Sequence, residues 1–584
     1  MIASPATATP LAAAAARCPP PRCEGGSLNS ALPARRVLVL GGYGVFGGKL
    51  CAALSQTAGF EVLVAGRALD KAARFCADHG GAPLQLDRAS PTLAAEIFAC
   101  APDIVIDAAG PFQAYQQDGA PYALVRAVIA AKADYIDLSD DAAFSAGIRQ
   151  LDAEARAAGV AVISGASSVP GLSSAAVTEL ARGLRSIARI ETAILPGNRA
   201  PRGLSVMRAI LAQVGQKIPV TRGAQSTEVI GWAGGKRERL SLPGTAEISR
   251  NAAYIGAPDL QLFPQHFGAP TVLFRAGLEL PLLHHGLWLL GLPVRAGVLR
   301  SLEPLAPLLR RIAQLFEPFG SDRGGMKVRV CGRNEAGQHE ERSWTLIAGA
   351  GDGPEIPTLP ARALCHKALA GKLAPGARPC LAEVTLDEIL ATAKGLSLQS
   401  GKASQPLEPV FRTALADRFD ALPAQVRQLH DTVDAAVWQG EARVDTGRSV
   451  LARVLCRVIG FPAASPSVPL RVEIQREGDH EIWTRHFADK RFHSVLKPHG
   501  SPGSGQVTER FGLLRFQIDL SAAPQGLGFP VSRGWCLGLP LPGFLLPRSD
   551  TAEFEEDGRF CFDVTVGMPL AGVIVRYRGW LRPL

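Results

Sequence analysis

The stretch VLVLGGYGVFGGKL, residues 37–50, runs from four apolar residues into five glycines. The apolar run is typical of a strand that is buried on both faces of a parallel sheet. After the first glycines, Phe46, Leu50 and Leu54 recur every four residues, which predicts a helix. A second apolar run at residues 60–67 completes a β-α-β unit. The glycines therefore occupy the turn between a strand and a helix.

This turn contains the pattern Gly42-x-Gly44-x-x-Gly47, the fingerprint of dinucleotide-binding folds. Gly42 permits the tight turn, Gly44 allows the backbone to approach a pyrophosphate, and Gly47 allows the helix to sit close to the strand. The phosphates would meet N–H groups at the start of the helix. The other candidate cofactor contacts in this turn are Tyr43, Val45 and Phe46. A turn with only a structural role is the alternative.

The end of the second strand indicates which nucleotide binds. An NAD site has Asp or Glu there to bind the ribose 2′-hydroxyl group. This strand ends in Gly66 and Arg67 instead, and Glu61 lies too early in the strand to replace that acid. Because a guanidinium group suits a 2′-phosphate, Arg67 favours NADP (NADPH) over NAD. The alternative role of Arg67 is that of a charge on a surface loop.

Further strands extend this unit into a doubly wound parallel sheet. Separated by helical stretches, they are predicted at residues 82–87, 102–112, 134–141 and 159–171. Ligands of such sheets bind at the carboxyl ends of the strands. We therefore place Ala109, Gly110 and Pro111 beneath the nicotinamide ribose. Asp87 could reach the adenine, or could instead cap the helix that follows it.

The bulk composition excludes several classes of protein. The 584-residue chain is too long for one core, and its formal charge of +9 is not concentrated in a Lys/Arg block. We expect no nucleic-acid partner, since no motif for one occurs. Eleven scattered cysteines without a CxxC pair, and the lack of an uninterrupted apolar run of about 18 residues, favour a cytoplasmic protein. Residues 1–34 form a Pro/Ala-rich leader, for which disorder is preferred over a targeting role.

Four motifs, taken in order, resemble a known family. VLGGYGVFG, AGPFQ, YIDLSDD and SGASSVPGLSS have the order and spacing seen in the saccharopine dehydrogenase (saccharopine reductase) NADP-binding superfamily, and residues 351–380 resemble its closing segment. The resemblance implies a Rossmann domain, an α/β domain with a mixed sheet that covers the cofactor, and a late segment that completes the Rossmann fold. It also implies an oxidoreductase. Known members act on imines or secondary amines of amino acids, and others act on lipid-like enoyl substrates.

The same patterns give the organisation of the whole chain. After the leader we expect a Rossmann NAD(P)-binding domain at 35–185, a substrate-covering α/β domain at 186–345, a segment returning to the Rossmann domain at 346–395, a polar linker at 396–408, and a C-terminal domain at 409–584. That last part resembles an uncharacterised domain often fused behind such dehydrogenases. Alternation such as Phe560, Phe562 and Val564 predicts a curved, mainly antiparallel β-rich fold for it, with short helices at its start.

Two apolar stretches are open to more than one interpretation. Residues 278–294 are interrupted by Pro281 and Pro293, and they predict a buried or membrane-surface helix pair. Residues 528–550 would suit an apolar ligand or a membrane surface if they were exposed. A buried connection across the open face of the C-terminal sheet is the preferred interpretation of that second stretch.

The sequence identifies no catalytic residue and no metal site. His266, His284 and His285 are candidate general acids, although a histidine pair in a Leu-rich stretch is more often a helix end or an interface. Tyr115 and Tyr135 could donate a proton or simply pack. Because the cofactor carries the hydride chemistry, the lack of an acid–base constellation does not argue against an enzyme.

The leading interpretation is an NADP-dependent oxidoreductase. It would transfer a hydride to or from an imine, carbonyl or enoyl group of a small-molecule substrate, possibly a hydrophobic one. The alternatives are a non-catalytic NADPH-binding sensor and a lipid-binding or membrane-peripheral protein. Peripheral contact with a membrane or lipid, and a homodimer, stay open as partner interactions.

Overall fold

The computed structural model describes residues 34–115, 119–201, 203–459, 461–488, 490–569 and 571–584. Apart from Ala34, the leader expected at 1–34 therefore lies outside the described residues. The chain divides into two compact units. The first contains residues up to 221, 226–330 and 342–404, and the second contains 222–225, 331–341 and 405–584.

The first unit begins with a parallel sheet in the strand order β6-β5-β4-β1-β2-β3. Its strands are β1 (Arg35–Leu40), β2 (Phe60–Gly66), β3 (Ala82–Gln85), β4 (Ile104–Asp107), β5 (Asp134–Asp137) and β6 (Ala161–Ser164). The connecting helices are α1 (Val45–Ser55), α2 (Leu69–His79), α3 (Leu93–Cys100), α4 (Phe112–Tyr115), α5 (Ala123–Ala130), α6 (Ala142–Gly147), α7 (Asp152–Ala158) and α8 (Ser173–Ala181). This is the doubly wound order of a Rossmann fold, as expected.

The apolar run of β1 explains its central position in this sheet. Val39 pairs with Val64 of β2 on one side and with Ile106 of β4 on the other, and all three side chains are fully buried. A strand that is covered on both faces can tolerate only such continuous apolar sequence. The strand order reverses between β1 and β4, and this switch point is where ligands of such sheets bind.

The glycine turn lets α1 lie directly against the end of β1. Gly41 has a φ of +73°, a conformation that favours glycine. A Cβ atom on Gly47 would lie 2.2 Å from the carbonyl oxygen of Gly41, which is a backbone atom with no freedom to retreat. Leu50 and Leu54, which lie on the same face of α1 as Gly47, are buried. The helix is therefore fixed by a contact that no other residue type permits.

A second, mixed sheet follows in the same unit. Its strands are β7 (Leu184–Leu195), β8 (Lys217–Arg222), β9 (Gln225–Ile230), β10 (Lys236–Leu240), β11 (Ile248–Tyr254), β12 (Thr271–Gly277), β13 (Gly324–Asn334) and β14 (His339–Ala348). The helices in this region are α9 (Leu204–Gln213), α10 (Pro258–Phe267), α11 (Pro281–Leu290), α12 (Leu292–Arg295) and α13 (Ala306–Leu315). β12 runs parallel to β7 and antiparallel to β11, so the mixed sheet implied by the family resemblance is present.

The chain then returns to the first sheet. The elements of this part are α14 (Leu359–Leu369), β15 (Gly376–Pro379), α15 (Leu386–Ala391) and β16 (Leu398–Pro406). β15 pairs in parallel with β6 and makes the first sheet seven-stranded. Just before α14, Glu355 binds Lys49 of α1 at 3.2 Å and also contacts Arg362.

The polar stretch expected to be a linker at 396–408 has a different conformation. It contains β16, which lies next to β14 at the edge of the nine-stranded second sheet. Most side chains of β16 are exposed. The sequence is polar because the edge strand is exposed to solvent, and the backbone of this stretch is regular.

The second unit contains a 13-stranded sheet. Three helices belong to it: α16 (Val410–Leu415), α17 (Ala424–His430) and α18 (Val450–Ile459). The strands are β17 (Ala435–Thr446), β18 (Ser465–Glu477), β19 (His480–Phe487), β20 (Lys490–His499), β21 (Gln506–Phe511), β22 (Leu514–Asp519), β23 (Ser521–Ala523), β24 (Gly526–Gly528), β25 (Val531–Cys536), β26 (Leu539–Pro540), β27 (Arg548–Glu556), β28 (Arg559–Met568) and β29 (Gly572–Pro583). Its neighbouring strands pair antiparallel, as the alternating sequence predicts.

The core of the second unit lies between one face of this sheet and the helices α16 and α17. Phe560 and Phe562 of β28 pack there with Phe411 of α16. The stretch 528–550, expected to be buried, is instead exposed at Leu537, Leu539 and Phe544. The stretch contains β25 and β26 at one end of the sheet, and Leu537 and Leu539 lie at the turn between these two strands. Among the described residues of the whole chain, no helix is both long and apolar enough to cross a bilayer.

Replacement of Gly47 by Ala tests the close contact of α1 with the turn. We expect the free energy of unfolding of the first unit to fall by about 1–3 kcal/mol, because the added Cβ must displace backbone. Urea unfolding followed by hydrogen exchange in peptides of β1 and β4 measures this unit separately. The control is Gly286→Ala in α11, where a Cβ meets nothing within 4 Å and stability should hold or rise slightly. Equal effects of the two substitutions would contradict the account.

Candidate cofactor site

The start of α1 has the features of an anion-binding site. Gly44 occupies the position before the helix in an extended conformation, with φ of −76°, and no side chain caps the helix there. Gly44 and Val45 are exposed, and Phe46 is half-buried. The first N–H groups of a helix have no acceptor within the helix. The turn therefore offers amides and positive dipole to a phosphate, and the residues present fit the pyrophosphate of a dinucleotide.

Tyr43 spans the distance from this turn to the end of β2. A Cβ atom on Gly66 would lie 2.4 Å from the Tyr43 ring, so the ring lies flat against that glycine. The Tyr43 hydroxyl accepts a hydrogen bond from the backbone N–H of Ala68 at 3.1 Å. Gly66 is thus required by the packing of Tyr43.

Arg67 follows directly and is exposed. Its backbone carbonyl accepts a hydrogen bond from the side chain of Gln85 at 3.2 Å, which fixes the turn after β2. Within the described ranges its guanidinium group has no ion-pair partner. An unpaired cation therefore stands at the position where NAD-binding folds have a carboxylate.

Asp87 lies beyond the end of β3 and is exposed. Its carboxylate accepts a hydrogen bond from the N–H of Ala89 at 3.1 Å. The alternative role as a helix cap is wrong, because α3 begins at Leu93 and Thr92 occupies the capping position. Asp87 instead stabilises a short turn, because its side chain accepts the hydrogen bond from the N–H group two residues further along the chain.

The loop after β4 lies next to the glycine turn. A Cβ atom on Gly41 would lie 2.9 Å from Cα of Ala109, so the two loops are in direct contact. Asp107, the last residue of β4, accepts a hydrogen bond from the N–H of Ala109 at 2.9 Å. Ala109 is exposed, Gly110 and Pro111 are half-buried, and the peptide bond between the last two is cis. The glycine turn, Arg67 and this loop follow β1, β2 and β4, so all three lie at the carboxyl ends of the parallel strands.

Asp107 also belongs to a buried polar cluster. The Tyr115 hydroxyl donates a hydrogen bond to Asp107 at 3.3 Å, and the guanidinium carbon of Arg88 lies 3.1 Å from the centre of the Tyr115 ring. Burial raises the pKa of Asp107, although the Ala109 amide and Arg88 oppose the shift. Tyr115 and Tyr135 are both buried, so neither presents its hydroxyl at the surface of the site.

Asp137, at the end of β5, also accepts hydrogen bonds from backbone N–H groups of the loops that follow the strands. Its carboxylate accepts hydrogen bonds from the N–H groups of Ser139 at 2.9 Å and Gly165 at 2.7 Å, and from the Ser164 hydroxyl at 3.0 Å. It therefore fixes the loops that follow both β5 and β6. Complete burial raises its pKa from 3.8 to about 7, against these hydrogen bonds.

A third buried acid connects α8 with the second sheet. Asp259, at the start of α10, accepts hydrogen bonds from the hydroxyls of Ser173 in α8 at 3.0 Å and Thr192 in β7 at 3.5 Å. Burial raises the pKa of Asp259 from 3.8 to about 7. This contact holds the serine-rich loop before α8 against the second sheet.

The candidate histidines do not gather at this edge. His284 is 3% exposed and packs against Trp232, whose indole N–H donates to the His284 backbone carbonyl at 3.0 Å. Burial, with a contribution from His285, lowers the pKa of His284 to about 4. His285 is exposed and contacts Asn251. Burial also lowers the pKa of His266, near the end of α10.

Family models match two segments of the chain. Residues 37–163 match the family described as "Saccharopine dehydrogenase NADP binding domain", and residues 422–581 match "Domain of unknown function (DUF4166)". No protein of curated function matches the chain. The family resemblance and the uncharacterised C-terminal domain are thereby confirmed. The first match supports a dehydrogenase-type oxidoreductase with a domain for a nicotinamide cofactor.

Solved structures with a similar arrangement share little sequence with this chain. Saccharopine dehydrogenase (L-Glu forming) from Saccharomyces cerevisiae is 17% identical, over 63% of this chain and 100% of its own, with a TM-score of 0.45. GenD2 from gentamicin A biosynthesis, solved with NAD, is 13% identical over 65% and 99%, with a TM-score of 0.31. Biliverdin reductase from Synechocystis sp. PCC 6803, solved with biliverdin and NADP+, is 11% identical over 62% and 96%, with a TM-score of 0.29.

The sequence interpretation missed the three buried acids. Asp107 and Asp137 each end a short apolar strand, IVID and DYID, and an acid in that position of a parallel sheet is a recognisable pattern. Asp259 follows a proline at a helix start, where an acid is common for local reasons. Its contacts with Ser173 and Thr192 come from distant parts of the chain, so no local pattern could have indicated them.

The raised pKa of Asp137 predicts a pH-dependent stability. The folded chain keeps this proton up to about pH 7, whereas the unfolded chain releases it near 3.8. In that interval the folded state binds more protons, so stability falls as pH rises, with a slope from this group of about 1.4 kcal/mol per pH unit. Asp137→Asn keeps an acceptor oxygen but does not titrate. We expect a shallower dependence in urea titrations at pH 5, 6 and 7, and an unchanged slope would contradict the assignment.

Proposed function

We propose that the protein is an NADP-dependent oxidoreductase that reduces or oxidises an imine, carbonyl or enoyl group of a small molecule. The observation that carries the preference for NADP is the exposed guanidinium group of Arg67 at the end of β2. A carboxylate in that position would repel a 2′-phosphate, whereas a guanidinium group can bind it through two parallel hydrogen bonds.

Different residues of the site would bind different groups of the cofactor. The N–H groups at the start of α1 would bind the pyrophosphate, and Gly44 would leave room for its close approach. Arg67 would bind the 2′-phosphate beside the Tyr43 ring. When bound, NADPH would supply the hydride for reduction.

The nicotinamide end of the cofactor would lie over the loop of Ala109, Gly110 and Pro111. Asp107 and Asp137 hold the backbone amides of the neighbouring loops at fixed positions. Such pre-organised loops orient a substrate without reorganisation during the reaction. The adjoining second sheet and α10 would enclose the substrate from the other side, because Asp259 joins α10 to the start of α8 and to β7 of that sheet.

A non-catalytic NADPH sensor is the second candidate function. The observation that favours it is the burial of Tyr115, Tyr135 and His284, which removes these proton-donor candidates from the site. A sensor would bind the cofactor with the same residues but would not catalyse oxidation of NADPH by a substrate. Oxidation of NADPH, followed at 340 nm with imine, carbonyl and enoyl compounds, separates the two functions.

Charge reversal at Arg67 tests the cofactor preference. We expect wild-type protein to bind NADPH more tightly than NADH in fluorescence titrations. Arg67→Glu should weaken NADPH binding roughly ten- to a hundredfold and leave NADH binding within a few fold, because only NADPH carries the 2′-phosphate.

The matched control is Arg185→Glu, which reverses another exposed arginine of the first unit. Both affinities should then stay at the wild-type values. Equal loss of NADPH and NADH affinity in Arg67→Glu would show that Arg67 does not discriminate the nucleotides. Absence of binding by the wild-type protein would contradict the proposed cofactor itself.

A further inference from the structure

Residues 281–319 of the first unit present an unusual number of large apolar side chains to solvent. Six of them are more than half exposed: Leu282, Leu289, Val298, Leu308, Leu315 and Phe319. We call them the α11–α13 surface. The exposed fraction is 74% for Phe319 and 72% for Leu315, values typical of polar side chains. Leu282 and Leu289 are seven residues apart in α11, and Leu308 and Leu315 are seven apart in α13, so each pair shares one exposed helix face. Exposed apolar faces of this kind mark interaction sites.

The inner side of the same segment is firmly packed. His284, Val294 and Leu302 are buried. The side chain of Gln216 donates a hydrogen bond to the backbone carbonyl of Arg300 at 2.5 Å. The segment is thus a folded part of the unit that has apolar residues on both its inner and its outer side. A helix that is apolar all round requires cover on both sides.

The charges of this segment are mainly positive. Residues 280–294 contain no Asp, Glu, Lys or Arg. The remainder contains Arg295, Arg300, Arg310 and Arg311, against Glu303 and Glu317. In the described part of the chain, none of the four guanidinium groups forms an ion pair. Arg295, Arg300 and Arg311 are exposed, whereas Arg310 is half-buried. Three unpaired, exposed arginines therefore accompany the exposed apolar side chains.

We propose that the α11–α13 surface binds the surface of an anionic lipid bilayer. The apolar side chains would enter the boundary between head groups and acyl chains, and the arginines would bind lipid phosphates. Long basic side chains can keep their charge at the head groups while their stems lie along apolar neighbours. This inference does not depend on the proposed cofactor or its turnover.

The charge pattern favours a bilayer over a second copy of the chain. A two-fold symmetric interface would place the same patch on both sides. Three exposed, unpaired arginines would then face three more, with Glu303 and Glu317 as the acids of the segment. Like charges in a closed interface are costly, whereas an anionic lipid surface is complementary to all three.

Vesicle sedimentation with the full-length protein tests the proposal. The probe is vesicles of phosphatidylcholine and phosphatidylserine at 70:30, compared with phosphatidylcholine alone. We expect binding to the anionic vesicles that decreases with added salt. The double substitution Leu289→Glu and Phe319→Glu should lower the partition coefficient at least about tenfold, since it places charge in the apolar boundary.

Two further variants separate the possible causes. Phe98→Glu alters an isolated phenylalanine of α3 that is 72% exposed, and it should bind vesicles like the wild type. Arg300→Glu with Arg311→Glu should weaken binding to anionic vesicles by roughly fivefold or more per residue. Circular dichroism confirms that each variant is folded.

Three results would overturn the proposal. One is a wild-type protein that does not sediment with anionic vesicles. Another is full binding by the Leu289→Glu and Phe319→Glu variant, which would place the contact elsewhere. The third is a wild-type dimer in light scattering that becomes monomeric in this variant, with no vesicle binding, which would identify a second copy as the partner.

Discussion

The contact between Gly47 and the carbonyl oxygen of Gly41 is the constraint on which the cofactor site depends. It brings α1 against the end of β1, so that the first N–H groups of the helix open toward the edge of the sheet. Gly41 in turn lies against Ala109, which brings the loop after β4 to the same place. A larger residue at either glycine would separate these loops. The position of the predicted nucleotide site therefore follows from backbone packing before any side chain contributes.

The charged groups at the carboxyl ends of the strands differ in their burial. Inside, Asp107 and Asp137 are buried, and their oxygens accept hydrogen bonds from loop amides. Outside, Arg67 is exposed and unpaired in the part of the chain that the structure describes. The buried acids determine the shape of the loops at the cost of raised pKa values, and the exposed cation is available to a ligand. In the proposed site, the buried acids would determine the shape of the loops and Arg67 would recognise the ligand.

Much of the first unit could be predicted from its sequence, because its strands and its glycine turn are indicated by short, continuous stretches of residues. The apolar run of β1 and the spacing of Gly42, Gly44 and Gly47 indicate a buried strand and a nucleotide turn without knowledge of the rest. Contacts between distant residues could not be read in this way. The bonds of Asp259 to Ser173 and Thr192 depend on how two sheets pack, and the exposure of residues 528–550 depends on which face of a sheet the chain crosses.

The most direct test of the account is amide hydrogen exchange of the wild-type protein with and without NADPH. The amides of Val45, Phe46 and Gly47 lie in the first turn of α1, so they should exchange quickly in the free protein. The account predicts that NADPH slows exchange in a peptide covering residues 43–48, and also in peptides that contain Arg67 and Ala109. Binding of NADPH without protection of residues 43–48, or with protection confined to the second unit, would contradict the glycine turn as the cofactor site.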